Sequence, residues 1–451
     1  MVPADARAIC FVLVLALGVS ACQSPPERQY SSVTVPITHI YDPYLRGDDT
    51  VPVVDVRLCE SLAARTHGFT VPVSTQPEGR TFNILVLSGG GAYGAYSAGV
   101  LAGWTESGTR PRFDVVTGVS TGALVATLAF LGPERDPLLK RFYTTVTDKD
   151  VYARKSEIAA LFSDSFRESK PLAKLIEAVI DAELLKGIAA EHAKGRRLYV
   201  GTTHLDAKRL VVWDMGAIAS RGTPADLVLF RTVLLASASI PGFFPPVPIT
   251  VDVDGKPIEE LHVDGGVTAS LFFRPPQVKR EVRRQLGDRP MAGSNVYIIV
   301  AGKLYADPAI VERRLLPIAA DSISALLYSK GRGDLFQLYA LALATGMNYH
   351  VTAVPADLDV PRDSTSFDPA VMGWLYEVGR EQAKSGREWR SNPPGSQPGE
   401  EVPVRGGIQL RSLPSDRAKV GVRAPHPDTV KGRNPETDSK DPTRVASTGR
   451  P

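Results

Sequence analysis

The chain has 451 residues, of which 43% are hydrophobic and 22% are charged, with 52 basic and 49 acidic side chains. The resulting net charge of +3 gives no electrostatic reason to expect a nucleic-acid partner. The length exceeds that of an average domain, but both ends lack the composition of a core. We therefore expect one large folded domain at 50–390 rather than two or three domains.

The first residues have the pattern of a signal peptide. An uncharged apolar run at 9–19 follows a basic residue and is too short to span a bilayer comfortably. Ser20 and Ala21 then precede Cys22, an arrangement similar to a bacterial lipoprotein processing site. We expect removal of 1–21 and diacylation of Cys22. This predicts an exported lipoprotein anchored to a membrane surface and facing the periplasm or the cell exterior. The alternative is an ordinary secretion signal cut at small residues.

The two flanks of the expected domain are polar. The segment 22–49 contains several prolines and is predicted to be a lipidated tether. The segment 391–451 contains no Phe, Tyr or Trp and is predicted to be a disordered tail. Cys59 would remain without a disulfide partner in the mature chain and is expected to be a buried small residue.

Between these flanks, short apolar runs alternate with helical patterns, which predicts an α/β domain with a mainly parallel sheet. The predicted strands lie at 84–87, 113–117, 198–202, 211–213 (an outer strand) and 296–300. The predicted helices lie at 92–104, 121–130, 225–235, 318–343 (one or two helices, broken near Gly331) and 371–384. The charged region 138–188 is predicted to form helices and loops, whose apolar residues Leu161, Phe162 and Phe166 we assign to the core rather than to a lid.

Ser120 lies in the motif Gly118-Val119-Ser120-Thr121-Gly122, between a predicted strand and a predicted helix. The flanking glycines permit a sharp turn that pushes the hydroxyl outward, and the helix N-terminus favours negative charge developing nearby. These features predict a nucleophilic serine. A chance match is the alternative in a chain with 39 glycines.

The motif Gly89-Gly90-Gly91-Ala92-Tyr93-Gly94 follows the strand predicted at 84–87 and opens the next helix. Successive residues without side chains let backbone N–H groups point at a ligand, which suits an oxyanion or a phosphate equally. There is no Gly-Lys-Ser/Thr ending for a P-loop, and the dinucleotide spacing is met only incidentally. We therefore predict an oxyanion hole at Gly89, Gly90 and Gly91.

Asp264 is the best candidate for the base that a nucleophilic serine needs. It follows the predicted strand end 261–263 and precedes two glycines, which would leave its carboxylate at the mouth of the sheet. A simple Asp-Gly turn is the structural alternative. His262, two residues earlier, would lie on the same side of a strand and allows the alternative of a Ser-His-Asp triad. The two side chains would, however, run parallel, which is a poor arrangement for Asp264 to orient His262 while His262 reaches Ser120.

Other polar residues are assigned structural roles. Ser237 and Ser239 are expected at a helix end within 236–246, where Phe243 and Phe244 either pack or line an apolar acyl channel. Further polar residues near strand ends are expected to satisfy turns more often than to bind substrate: Thr202, Thr203 and Asp206.

Four motifs in this order and approximate spacing resemble patatin-like phospholipases over roughly 80–385. They are Gly89 to Gly94, Gly118 to Gly122, Ala236 to Pro245, and Asp264 to Gly266. The resemblance implies a three-layer α/β/α sandwich and hydrolysis of acyl-ester lipids by a Ser-Asp dyad without histidine. Ser120 matches the nucleophile, Asp264 the base, and the three glycines the oxyanion hole. No metal or other cofactor is needed by such a mechanism.

One position departs from the resemblance. Many relatives carry Arg or Lys where this chain has Tyr93, so backbone donors would have to hold the oxyanion without side-chain help. The hypothesis from another class is an inactive relative that binds lipid or protein at a membrane, and the presence of both Ser120 and Asp264 argues against it.

Overall fold

A computed structural model of the chain describes residues 46–48, 81–154, 165–253, 256–273, 291–308, 310–386 and 389–396. Several predictions lie outside the described residues. These are the signal peptide, the lipidation site Cys22, Cys59, Leu161, Phe162, most of the tether and the tail from 397 onward.

The described part of the chain contains a sheet of nine strands. They are β1 Arg46–Asp48, β2 Asn83–Leu87, β3 Val115–Val119, β4 Arg197–His204, β5 Arg209–Asp214, β6 Val247–Val253, β7 Lys256–Asp264, β8 Asn295–Val300 and β9 Asn348–Ala353. The order of the strands across the sheet is β1-β5-β4-β3-β2-β8-β9. In addition, β7 pairs with β4, and β6 pairs with β7. Strands β9, β8, β2, β3 and β4 are mutually parallel, so the predicted mainly parallel α/β fold is confirmed.

Helices cover both faces of this sheet. Their bounds are α1 Gly94–Glu106, α2 Thr121–Leu131, α3 Asp136–Thr145, α4 Asp148–Val151, α5 Lys170–Val179, α6 Ala182–Ala193, α7 Met215–Arg221, α8 Pro224–Ser237, α9 Leu315–Thr345 and α10 Pro369–Lys384. Leu85 and Leu87 of β2 join an apolar cluster with α1 and α10 on one face. Ile84 and Val86 join Leu335 of α9 on the other. This alternation, which follows from the two-residue period of a strand, produces the three layers.

The strand predicted at 113–117 begins two residues later and continues to Val119, directly before Ser120. Asp114, directly before this strand, also contacts the neighbouring strand: its carboxylate accepts a hydrogen bond from the Asn83 N–H, at 2.9 Å.

Three expectations about the elements were wrong. Helix α9 continues through Gly331, because the Asp334 carboxylate accepts hydrogen bonds from the Ser270 and Leu271 N–H groups and anchors this turn of the helix. The strand at 211–213 is not the outer one, since β1 pairs with it at Arg46–Asp48. Phe166 is 49% exposed and does not belong to the core.

At the carboxyl end, described residues continue to 396, and Pro393 and Pro394 are buried. The predicted domain boundary at 390 lies just before them. None of the helices in the described ranges combines the length and hydropathy needed to cross a bilayer.

Candidate active site

The sheet brings the ends of β3 and β7 to the same place. Strand β3 runs parallel to β4 and ends with Val119 opposite Gly201. Strand β7 runs antiparallel to β4 along the continuation of the same edge and ends with Asp264 opposite Thr202. Two strands that approach head to head therefore stop at adjacent positions of β4, so the residues at their ends meet.

Ser120 occupies a sharp turn between β3 and α2. Its backbone has φ 56° and ψ −130°, a conformation that side-chain-bearing residues rarely adopt and that stores strain. A Cβ on Gly118 would overlap the Gly122 carbonyl oxygen, and one on Gly122 would overlap the Ser88 carbonyl oxygen. Both glycines of the motif are therefore required for this turn to pack.

Asp264 lies beside the serine. Both side chains border one cavity, the Ser120 hydroxyl lowers the pKa of the Asp264 carboxyl, and Asp264 Oδ1 accepts the Gly266 N–H at 2.7 Å. The carboxyl is buried, and the loss of hydration raises its pKa from 3.8 to about 6, although the hydrogen bonds from Ser120 and Gly266 pull it down. A carboxylate with a pKa near 6 is ionised at neutral pH and is a stronger base than an ordinary aspartate.

The triple-glycine turn lies against this pair. A Cβ on Gly89 would be 2.9 Å from the Ser120 Cβ, while one on Gly90 would overlap Ala301 and one on Gly91 would overlap Ser364. Within the described residues, none of the N–H groups of Gly89, Gly90 and Gly91 has a backbone acceptor. The three positions of this turn therefore require glycine, and their backbone N–H groups remain available as hydrogen-bond donors beside Ser120.

A cavity of about 420 Å³ opens over these groups. Its floor contains Ser120, Asp264 and the glycine turn, and one wall is formed by aliphatic side chains of α9: Ile323, Leu326, Leu327 and Leu335. A second, smaller apolar pocket of about 40 Å³ also borders Ser120, and Phe243 and Phe244 line it. Both phenylalanines therefore line an apolar space next to the serine, and Phe244 is also buried in the core.

Three cationic side chains line the larger cavity. Lys303 pairs with Asp307 at 2.6 Å. Arg332 and Arg362 donate to backbone carbonyls, those of Leu304 and Pro308 respectively. The Tyr93 hydroxyl, at the position where relatives carry a cation, donates to the Pro361 carbonyl. Positive charge in this cavity therefore comes from these three side chains and not from position 93.

His262 is held away from the serine. It is fully buried, its Nδ1 is 3.0 Å from the Thr202 hydroxyl and its Nε2 is 3.0 Å from a Glu260 carboxylate oxygen. Both ring nitrogens thus have partners other than Ser120 and Asp264. Thr203 likewise has a structural contact, since its hydroxyl donates to the Asp264 carbonyl at 2.9 Å.

The segment at 236–246 does more than end a helix. The Ser237 hydroxyl accepts the Ser120 N–H at 2.9 Å and donates to the Gly201 carbonyl at 2.7 Å. The Ser239 carbonyl accepts the Asp264 N–H at 2.9 Å. One short segment therefore fixes the backbones of both residues. Ser237, the last residue of α8, and Ser239, two residues later, were the available signal, and from the sequence we assign them only to a helix end.

The chain was compared with known proteins. Residues 85–276 match the family model described as patatin-like phospholipase. No match was found among curated proteins.

Solved structures to which the chain shows some similarity include VipD from Legionella pneumophila, which is 14% identical, with 69% of each chain covered and a TM-score of 0.35. ExoU from the type III secretion system of Pseudomonas aeruginosa, in its complex with SpcU, is 14% identical over 68% of this chain and 52% of that chain, with a TM-score of 0.28.

Proposed function

We propose that this protein is a serine acyl hydrolase that cleaves carboxylic ester bonds of phospholipids or related acyl lipids through an acyl-enzyme on Ser120. One observation carries the proposal: the neighbouring side chains of Ser120 and Asp264 lie beside a glycine turn whose N–H groups have no backbone acceptor among the described residues, on the floor of a largely aliphatic cavity. The patatin-like phospholipase match over 85–276 supports the same reaction class.

In the first half of the reaction, Asp264 takes the proton from the Ser120 hydroxyl as its oxygen attacks the ester carbonyl. The N–H groups of Gly89, Gly90 and Gly91 stabilise the resulting oxyanion. Collapse of this intermediate breaks the ester bond, and the departing alcohol takes the proton from Asp264. In the second half, Asp264 takes a proton from water, which attacks the acyl-enzyme, and the acid leaves as the proton returns to Ser120.

The cavity lining supports a lipid substrate. Its volume of about 420 Å³ lies within the range of ligand pockets, and its α9 wall matches an acyl chain in chemistry. Lys303, Arg332 and Arg362 would face a negatively charged head group, which favours anionic phospholipids over neutral glycerides.

Hydrolysis of p-nitrophenyl butyrate tests the roles of the residues. Because they remove the nucleophile or the base, Ser120→Ala and Asp264→Asn should each lower kcat by about a thousandfold or more. His262→Gln can keep one of the two hydrogen bonds of the histidine and should retain most activity. Loss of activity in His262→Gln as well as in Ser120→Ala would support a triad instead, and full activity in Ser120→Ala would contradict the proposal.

We also propose that Cys22 anchors the mature chain to a membrane that faces the periplasm or the cell exterior. The support is the sequence alone, namely the apolar run at 9–19 and the small residues before Cys22. Metabolic labelling with an alkyne fatty acid should mark the wild-type protein and not Cys22→Ser. Equal labelling of both would contradict the anchor at this residue.

A further inference from the structure

The first half of α9, residues 315–329, exposes aliphatic side chains to solvent. The exposed fractions are 82% for Leu315, 48% for Ile318, 50% for Ile323 and 69% for Leu326. Asp321 is the single charged residue within 315–329. A continuous surface of this kind on a soluble domain marks an interaction site, because isolated exposed aliphatics are common but contiguous ones are not.

This surface is continuous with the candidate active site. Ile323, Leu326 and Leu327 line the cavity that contains Ser120, while Leu315 and Ile318 extend the same helix beyond the residues that line it. An acyl chain passing from outside to the serine would therefore contact apolar side chains along the whole path. A partner that supplies acyl chains fits this geometry better than a folded protein does.

Charge at the ends of the segment favours a lipid surface. Arg313 and Arg314 precede it, and Lys330 and Arg332 follow it, with Glu312 and Asp334 paired to Arg314 and Lys330. Apolar side chains flanked by cations suit the boundary between acyl chains and anionic head groups. At 1.5 Å per residue, the segment is about 22 Å long, which is shorter than a bilayer core, so it would lie on a membrane rather than cross it.

We infer that residues 315–329 are an interfacial docking helix, which lies on an anionic lipid surface and passes substrate into the cavity over Ser120. The inference rests on the proposed function, because it assumes that the substrate enters from a lipid surface. It differs from the acyl anchor at Cys22, since it concerns where the folded domain touches the membrane.

A fluorescent label tests the contact directly. In the full chain with Cys10, Cys22 and Cys59 replaced by serine, an NBD dye is attached at Leu315→Cys or, as the matched control, at Leu343→Cys. Leu343 lies on the same helix and is 60% exposed. Vesicles of ether-linked phosphatidylcholine, with and without phosphatidylglycerol, provide a lipid surface without cleavable esters. We expect a blue shift at 315, larger with phosphatidylglycerol, and none at 343.

Activity provides the second readout. Leu315→Glu combined with Ile318→Glu should lower hydrolysis of ester phospholipid in vesicles by about tenfold, since two partly exposed apolar side chains no longer enter the membrane. Hydrolysis of monomeric p-nitrophenyl butyrate should be unchanged, because neither residue lines the cavity. Leu343→Glu should affect neither substrate.

The outcomes separate this inference from the proposed function. No shift at 315, equal shifts at both positions, or a shift produced by raising the protein concentration without vesicles would overturn the docking helix. If the wild type still cleaves the monomeric ester in any of these cases, the hydrolase proposal stands. A shift confined to 315 with no cleavage of either ester would instead support docking and contradict the hydrolase.

Discussion

Replacing Asp264 with asparagine is expected to stabilise the folded protein above pH 6 while abolishing ester hydrolysis. The carboxyl is buried beside Ser120, and its pKa is about 6 in the folded protein against 3.8 for a free aspartate. Burial therefore makes the ionised form unfavourable in the native state. Asparagine has the same shape and no charge to bury, and its carbonyl oxygen can still accept the Gly266 N–H.

The magnitude follows from the two pKa values. Because the folded pKa is raised, the protonated group favours folding, and this contribution is lost as the pH rises from 3.8 towards 6 and beyond. At pH 8 the ionised Asp264 destabilises the native state by about 3 kcal/mol relative to its protonated form. About half of this penalty is already present at pH 5. The advantage of the asparagine variant should therefore grow by about 1.5 kcal/mol between pH 5 and pH 8.

Urea unfolding of the wild type and Asp264→Asn, followed by circular dichroism at pH 5 and pH 8, measures this difference. Ser120→Ala is the matched control, because it also removes catalysis but keeps the titrating carboxyl. Its stability should decrease with rising pH at least as steeply as that of the wild type, since it lacks the hydrogen bond that lowers the pKa of Asp264. A gap between wild type and Asp264→Asn that is the same at both pH values would refute the reasoning.

Three further predictions concern the site and the packing around it. Ser237→Ala removes the acceptor of the Ser120 N–H and should lower kcat about tenfold to a hundredfold with little change in KM, as steady-state kinetics would show; an unchanged kcat would exclude a positioning role. The kcat/KM of the wild type should rise with pH through about 6 as Asp264 ionises, and a flat profile between pH 5 and 7 would count against Asp264 as the base. Gly99→Ala should unfold the domain or destabilise it by about 3 kcal/mol or more, because its Cβ would overlap α10, whereas Gly373→Ala, with open space around it, should be neutral or slightly stabilising in thermal unfolding.

Much of the site could be predicted because its tight turns require glycine at particular positions of the sequence. The glycines around Ser120 and in the triple-glycine turn are demanded by close backbone contacts, so they are visible as motifs. The meeting of Ser120 with Asp264 is different. It depends on the register of β3 and β7 along β4, which no local pattern encodes. The strand end before Asp264 made this residue the best candidate, and the resemblance to a family supported the pairing.

Other features could not be predicted for identifiable physical reasons. Strand β6 contains Pro248, which argues against a central strand; the structure tolerates it because β7 is the only partner of β6 among the described strands. The sequence predicts a helix at 318–343 but not its surroundings, and the first half of α9 is exposed at the mouth of the cavity. Hydrophobic periodicity shows which face of a helix is apolar, but not what that face contacts.

Covalent labelling tests the central claim most directly. The full chain is treated with a fluorophosphonate probe at pH 8, digested, and analysed by mass spectrometry to locate the adduct. The proposed chemistry predicts one adduct on Ser120, strongly reduced labelling in Asp264→Asn and unreduced labelling in His262→Gln. An adduct on another serine, or no adduct on a folded wild-type chain, would contradict it.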